Sequence, residues 1–218
     1  IGCAGIQVSG DDNSLTIYGQ AAQSGQLIAT GGGHLAGIGG GYKASGSNIT
    51  INGGTVTANG GEGAAGIGGA EIGSGNSITI NGGTVTANGG RDGAGIGGGG
   101  TCSGSNITIN GGTVTANGGQ GAAGIGGGNR GNGSDIAING GTVIANGGLY
   151  AAGIGSGDFG AASSNITVAT ILTLKAGSTE NPADAIANNG GDLTESLAGR
   201  QYVTVSDAIC NITANQDP

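Results

Sequence analysis

A repeat of 29 residues constrains the fold of this chain more than any other feature. The segment 48–61, NITINGGTVTANGG, recurs at 77–90, 106–119 and 135–148 with few changes. Each copy is followed by an Ala-Gly-Ile-Gly element, whose isoleucines are again 29 residues apart (Ile38, Ile67, Ile96, Ile125, Ile154). Periods of about 20–50 residues built from short β-type segments are typical of solenoids, in which each repeat contacts only its neighbours.

Three short segments within each repeat predict three sides of one coil. Ile49 to Ile51 and Thr55 to Ala58 alternate apolar and polar residues with the period of a strand, and Asn-Gly-Gly between them supplies a sharp corner. Ala-Gly-Ile-Gly is a short third side that brings one isoleucine inwards. The repeat therefore predicts an all-β fold, a right-handed parallel β-helix of about six coils. A collagen helix is excluded because glycine does not occupy every third position.

Stacking of the coils predicts columns of identical side chains. Ile49 and Val56 should begin dry interior columns, whereas Asn52 and Asn59 should begin amide ladders at two corners. The repeat pattern fades after residue 165. We therefore predict a β-helix array over 1–169, C-terminal capping strands over 170–206 and a tail over 207–218.

Composition excludes several functions and leaves few cofactor candidates. The chain has 5 basic residues, scattered along its length, which argues against nucleic acid as a partner, and no apolar run long enough for membrane insertion. Cys3, Cys102 and Cys210 lack the spacing of metal ligands, and nothing in the sequence fixes their disulfide state. No cofactor is expected, although Asp11 with Asp12, or the loop at Asp158, could hold calcium.

Two surfaces are candidates for function. The stretch after each Ala-Gly-Ile-Gly element varies between coils, which predicts a recognition edge carrying charged and aromatic side chains and Cys102. We expect glycans or cell-wall polymers to bind there, at Tyr42, Glu71, Arg130, Tyr150 and Phe159. The alternative is a flat rank of Thr-X-Thr motifs that resembles the faces of β-solenoid ice-binding proteins; its residues are Thr55, Thr57, Thr84, Thr86, Thr113, Thr115 and Thr142.

Catalysis is the weakest of the three function classes. A glycosidase needs two carboxylates about 5–10 Å apart, and Glu62 and Asp92 lie in nearly equivalent places of adjacent repeats. Both stand in glycine-rich corners where the sequence suggests no shielded pocket. A polysaccharide lyase or hydrolase is therefore the least favoured reading.

The repeat unit resembles a known group of proteins. AGIGGG followed by NITINGGTVTANGG is similar to the glycine-rich tandem repeats of large secreted or cell-wall-attached proteins of anaerobic Gram-positive bacteria, over residues 26–168. The resemblance implies an extracellular location, either secreted or attached to the cell surface, and a non-catalytic module for adhesion or carbohydrate binding. It supplies no catalytic motif and no ligand.

Overall fold

The computed structural model describes residues 3–10, 12–19, 25–169, 172–177, 185–186, 191–198 and 200–207. Its elements in chain order are β1 (Ile6–Gln7), β2 (Leu15–Ile17), β3 (Gln26–Thr30), β4 (Ile38–Gly39), β5 (Gly46–Ile51), β6 (Thr55–Asn59), β7 (Ile67–Gly68), β8 (Gly75–Ile80), β9 (Thr84–Asn88), β10 (Ile96–Gly97), β11 (Gly104–Ile109), β12 (Thr113–Asn117), β13 (Ile125–Gly126), β14 (Gly133–Ile138), β15 (Thr142–Asn146), β16 (Ile154–Gly155), β17 (Ser164–Val168), β18 (Leu172–Gly177), β19 (Ala185–Ile186), α1 (Thr194–Leu197) and β20 (Tyr202–Asp207).

Every third strand pairs in parallel, so the strands form the three walls of a prism. Sheet 1 contains the Ile-Gly strands β1, β4, β7, β10, β13 and β16; sheet 2 contains β2, β5, β8, β11, β14 and β17; sheet 3 contains β3, β6, β9, β12 and β15. The middle coils pair in register at a separation of 29 residues, as for Ile78 with Ile107. The predicted parallel β-helix is thus confirmed, with five complete coils and two sides of a sixth.

Columns of aliphatic side chains fill the prism. Ile49, Ile51, Val56 and Ala58 of one coil are buried, as are their equivalents in the following coils, while the threonines between them face outwards. Sheet 1 adds one buried isoleucine per coil, such as Ile67. Burying a side chain of this size stabilises a fold by about 1.5–3 kcal/mol, and each coil repeats the contribution.

Asparagine ladders close two corners of the prism. The amide of Asn81 donates to Asn52 at 2.7 Å, and Asn110 and Asn139 continue the ladder at 2.8 Å. A second ladder joins Asn59, Asn88, Asn117 and Asn146, with bonds of 2.8 Å. Both ladders are the ones expected from the sequence, and they satisfy amides that a corner would otherwise leave to solvent.

The second glycine of each Ala-Gly-Ile-Gly element is fixed by steric constraints. Gly68 has a φ of 132° and Gly97 one of 135°, a region that residues with a Cβ rarely adopt. A Cβ at Gly97 would overlap the carbonyl oxygen of Gly126 in the next coil. The coils can approach to hydrogen-bonding distance on sheet 1 only because this position has no side chain.

Sheet 2 contains a backbone feature that the repeat pattern did not reveal. Its strands begin at Gly46, Gly75, Gly104 and Gly133, before the alternating segment, and the third residue of each is left-handed. These residues have φ values of 52–56° although none is glycine; they are Asn48, Ser77, Asn106, Asp135 and Asn165. Short polar side chains tolerate this conformation best, which explains the residue types found there.

The C-terminal segment changes strand direction. β20 pairs antiparallel with β15, joining Val205 to Val143, and β18 pairs antiparallel with β20. β20 therefore occupies the position at which a parallel third side of the sixth coil would lie. The sequence predicted strands here but not their direction. The domain boundaries at 169 and 206 remain predictions, and residues 208–218 of the predicted tail lie outside the described residues.

Candidate functional site

Two variable stretches of each coil meet at one edge of the prism, which we call the variable edge. One stretch precedes the Ala-Gly-Ile-Gly element and the other follows it. Their residues stack in four columns at 29-residue intervals: Gly33, Glu62, Arg91, Gln120 and Leu149; His34, Gly63, Asp92, Gly121 and Tyr150; Tyr42, Glu71, Gly100, Asn129 and Asp158; Lys43, Ile72, Thr101, Arg130 and Phe159. The sequence had indicated only the stretch that follows the element.

Backbone hydrogen bonds connect the variable edge from coil to coil. The N–H of Glu71 donates to the His34 carbonyl at 3.1 Å, and the N–H of Asn129 donates to the Asp92 carbonyl at 2.9 Å. Arg130 and Phe159 donate to the preceding coils in the same way, to Gly100 at 3.0 Å and Asn129 at 2.8 Å. These bonds involve only main-chain atoms, so side chains can differ between coils without disturbing the scaffold.

The predicted recognition residues all lie on the variable edge, but not in one cluster. Tyr42 is 74% exposed and lies in the second coil, whereas Tyr150 (77%) and Phe159 (70%) lie together in the last coil. Glu71 is half-buried and forms an ion pair with His34 at 3.3 Å, while Arg130 is exposed in the coil before Phe159. The edge thus has aromatic groups near its two ends and charged or amide groups between them.

Large side chains alternate with glycine in the middle of the variable edge. The paired positions are Gly63 with Glu71, Asp92 with Gly100, and Gly121 with Asn129. A Cβ placed on Gly63 would lie 2.6 Å from Cγ of Glu71, and one on Gly121 would overlap the Asn129 amide. The two positions therefore compete for the same space, and each of these three coils fills only one of them.

A shallow depression results over Gly100. It has a volume of about 320 Å³ and is lined by Glu71, Asp92, Gly100, Thr101, Asn129 and Arg130. Glu62 and Asp92, the carboxylates considered for catalysis, stand one column apart, with the Asp92 N–H donating to the Glu62 carbonyl at 3.3 Å.

The threonine ranks form where they were expected, on sheet 3. Thr55, Thr84, Thr113 and Thr142 stack in register, and Thr57, Thr86 and Thr115 form the parallel column. That second column begins with Ile28, which is 63% exposed, and ends with Ile144. Both columns are complete over only three coils. Sheet 2 carries another threonine column, Thr50, Thr79 and Thr108, which Ala137 interrupts; the sequence had marked only Thr50 as outward-facing.

The metal and membrane expectations concern the described part of the chain. There, no three histidine, cysteine or carboxylate side chains come together as ligands. Asp158 is half-buried and Asp12 exposed, Cys3 and Cys102 are unpaired thiols, and Asp11 and Cys210 lie outside the described residues. None of the helices in the described ranges has the length and hydropathy that a membrane crossing requires.

Asp192 terminates sheet 2. Its Oδ1 atom accepts hydrogen bonds from the Thr194 hydroxyl at 2.5 Å, the Thr194 N–H at 2.9 Å and the Ile166 N–H at 3.0 Å. These donors, the Thr194 side chain first among them, hold the pKa of Asp192 below its usual value because they stabilise the carboxylate. The C-terminal segment thus satisfies a strand donor that has no following coil.

A comparison with protein families supports this architecture. A model described as a β-helix repeat matches residues 24–42, 49–71, 78–100, 107–129 and 136–158, together about half of the chain. The chain belongs to the β-helix repeat family. Four of the five matched units begin within a sheet 2 strand and extend past the sheet 1 strand, so each contains one coil and its variable positions. No curated protein and no solved structure matches the chain significantly.

Proposed function

We propose that this β-helix is a non-catalytic extracellular module that binds glycans or cell-wall polymers along its variable edge. One observation carries the proposal. The residues that differ between coils are collected in register on a single edge, whereas the interior is nearly invariant. Scaffold-presented variable positions with exposed aromatic rings are typical of recognition surfaces.

The geometry of the variable edge favours an elongated partner. Its columns run along the solenoid axis, with coils about 4.8 Å apart, and the residues between Tyr42 and Phe159 carry both signs of charge and several amides. A polysaccharide lying along the axis would meet aromatic rings near both ends and hydrogen-bonding groups between them. The net charge of −8 disfavours strongly anionic polymers.

Binding to arrayed glycans and isolated cell walls tests this function. We expect the triple variant Tyr42→Ala, Arg130→Ala, Phe159→Ala to lose at least tenfold in affinity, because it removes two stacking surfaces and one cation. The matched control is Thr55→Ala, Thr84→Ala, Thr113→Ala, which changes as many exposed positions on sheet 3 and should bind like wild type. Equal binding by both variants would contradict the proposal.

Ice binding is the second candidate, and the stacked threonine ranks are the observation that favours it. Three uninterrupted coils at about 4.8 Å spacing give a short flat face, bordered by Ile28 and Ile144. A thermal hysteresis and recrystallisation assay separates the two functions. Activity that the threonine triple abolishes and the edge triple retains would support ice binding instead.

A polysaccharide lyase or hydrolase is the third and least favoured candidate. Glu62 and Asp92 are offset by one column on an open corner, and no cleft of described residues encloses them both. Product formation on a panel of pectins and glucans, lost in Asp92→Asn, would replace the binding proposal with an enzymatic one.

A further inference from the structure

The last strand of sheet 1 lacks the partner that every earlier strand has. The N–H of the isoleucine in each coil donates to a glycine carbonyl of the next, as from Ile96 to Gly124 at 3.0 Å and from Ile125 to Gly153 at 2.9 Å. The residue two positions later does the same, as from Gly127 to Gly155 at 2.9 Å. In the last coil, the N–H groups of Ile154 and Ser156 have no hydrogen-bond partner among the described residues.

The C-terminal segment covers sheets 2 and 3 but not this strand. Asp192 accepts the Ile166 N–H of sheet 2, and β20 pairs along β15 of sheet 3. Next to β16, its nearest bonded group is the Arg200 carbonyl, which accepts the Gly153 N–H at 2.7 Å. Sheet 1 therefore ends with two main-chain donors that point where a seventh Ile-Gly strand would supply carbonyl oxygens.

A cavity of about 260 Å³ lies at this end. Ala152 and Ile154 line its apolar part, Tyr150 stands beside them, and Ser156, Ser163 and Thr194 supply hydroxyl groups. The hydroxyls of Ser156 and Ser163 are 2.8 Å apart, and Ile154 is only 1% exposed. A buried N–H without a partner costs about 1–3 kcal/mol, so a group that brings acceptor oxygens into the cavity recovers that energy.

We propose that this cavity binds one pyranose ring, a terminal or branching sugar of a glycan. The inference rests on the proposed glycan-binding function and assigns that function a site. Ring hydroxyl oxygens accept from the Ile154 and Ser156 N–H groups, which stand about 6.6 Å apart along a strand, and further hydroxyls bond Ser156 and Ser163. The C–H face of the sugar packs on the Tyr150 ring. Cavities for drug-sized ligands measure about 300–1,000 Å³, so this one suits a single ring.

The Tyr150 ring and the serine pair favour a sugar over the other occupants that fit an open strand edge. An extended peptide would pair with the two N–H groups but would leave the hydroxyl pair and the aromatic face unused. Ordered water would satisfy the donors but would gain nothing from Tyr150.

Amide chemical shifts of the ¹⁵N-labelled chain, titrated with a panel of methyl glycosides, test the site. We expect at least one glycoside to shift the Ile154 and Ser156 amides saturably. Tyr150→Ala should weaken that binding at least tenfold. Tyr42→Ala is the matched control, since it removes an equally exposed tyrosine at the other end of the edge, and should leave the titration unchanged. Ala162→Leu, which fills the cavity from a solvent-exposed position, should abolish binding without requiring a change at Tyr150.

The outcomes separate this site from the general function. Glycan-array binding without amide shifts at Ile154 and Ser156 overturns the cavity assignment and leaves the variable edge as the binding surface. Shifts with an Ala-Gly-Ile-Gly peptide but with no glycoside overturn it in favour of strand addition. Absence of binding to every glycan and polymer overturns both proposals.

Discussion

The interior of the coils and the variable edge experience the same 29-residue repetition, yet they differ in how freely their residues can change. Inside, each side chain contacts its own equivalents above and below, so a change in one coil affects two others. At the variable edge, main-chain bonds carry the stacking, and side chains meet solvent or a glycine. The difference shows that stacking by backbone frees a surface to vary, whereas stacking by side chains fixes it.

The largest effect is expected at the glycines of sheet 1. Gly97→Ala forces a Cβ into the Gly126 carbonyl oxygen at a φ of 135°, and should lower the free energy of unfolding by about 4 kcal/mol or more. Gly33→Ala is the control, because its φ is also positive but no atom lies within 4 Å of the added Cβ. Chemical denaturation measures both. Similar losses would mean that backbone conformation alone, and not coil contact, fixes these glycines.

Truncating an interior column should come next. Ile107→Ala leaves a cavity between Ile78 and Ile136 and should cost about 2–5 kcal/mol. Its neighbour Thr108 faces outwards on the same strand, so Thr108→Ala should change stability by about 0.5 kcal/mol or less. Thermal and urea unfolding of the pair compare inside with outside directly. A large loss at Thr108 would show that the outer face also carries the stacking.

The alternation at the variable edge predicts a smaller, reversible effect. Gly63→Asp places a side chain against Glu71 and should cost about 1–2 kcal/mol. Adding Glu71→Gly recreates the Asp92 and Gly100 arrangement of the next coil and should restore most of the stability. A double-mutant cycle measures the coupling, expected within about 0.5–3 kcal/mol. Additive effects would contradict competition for one space.

The smallest effect concerns pH at the C-terminal segment. The pKa of Asp192 is lowered from its usual value of 3.8 in the folded chain, so its hydrogen bonds stabilise the fold above that value and are lost as pH falls through the lower, folded pKa. Asp192→Ala should therefore be slightly less stable than wild type at pH 7, and the gap should close below about pH 3.8. Thermal unfolding across this range measures it; a gap independent of pH would assign the effect to packing.

Much of the core could be predicted because every coil supplies the same information. The period identified the inward residues Ile49 and Val56 and the ladders at Asn52 and Asn59. The left-handed residues such as Asn48 escaped detection, because an asparagine before an alternating segment looks like an ordinary strand start. The direction of β20 was missed because the alternation of Tyr202 to Val205 is the same for parallel and antiparallel neighbours.

The candidate site was predicted only in part for a similar reason. Exposed aromatic rings in variable stretches could be recognised one by one, and Tyr42 and Phe159 lie where expected. The pairing of Gly63 with Glu71 could not be seen, because it joins two stretches separated by the Ala-Gly-Ile-Gly element. The cavity beside Ile154 depends on which strands the C-terminal segment covers, and no repeat encodes that.

The sequence by itself determined the repeating coil, since periodicity fixes which side chains face inwards and glycine spacing fixes the corners. Only the tertiary structure decided how the array ends, which columns meet at the variable edge and where two main-chain donors stay unpaired. The physical reason is that contacts within the array join equivalent positions and recur with the period. Contacts at its end and across its edge join unlike positions, which a repeat does not specify.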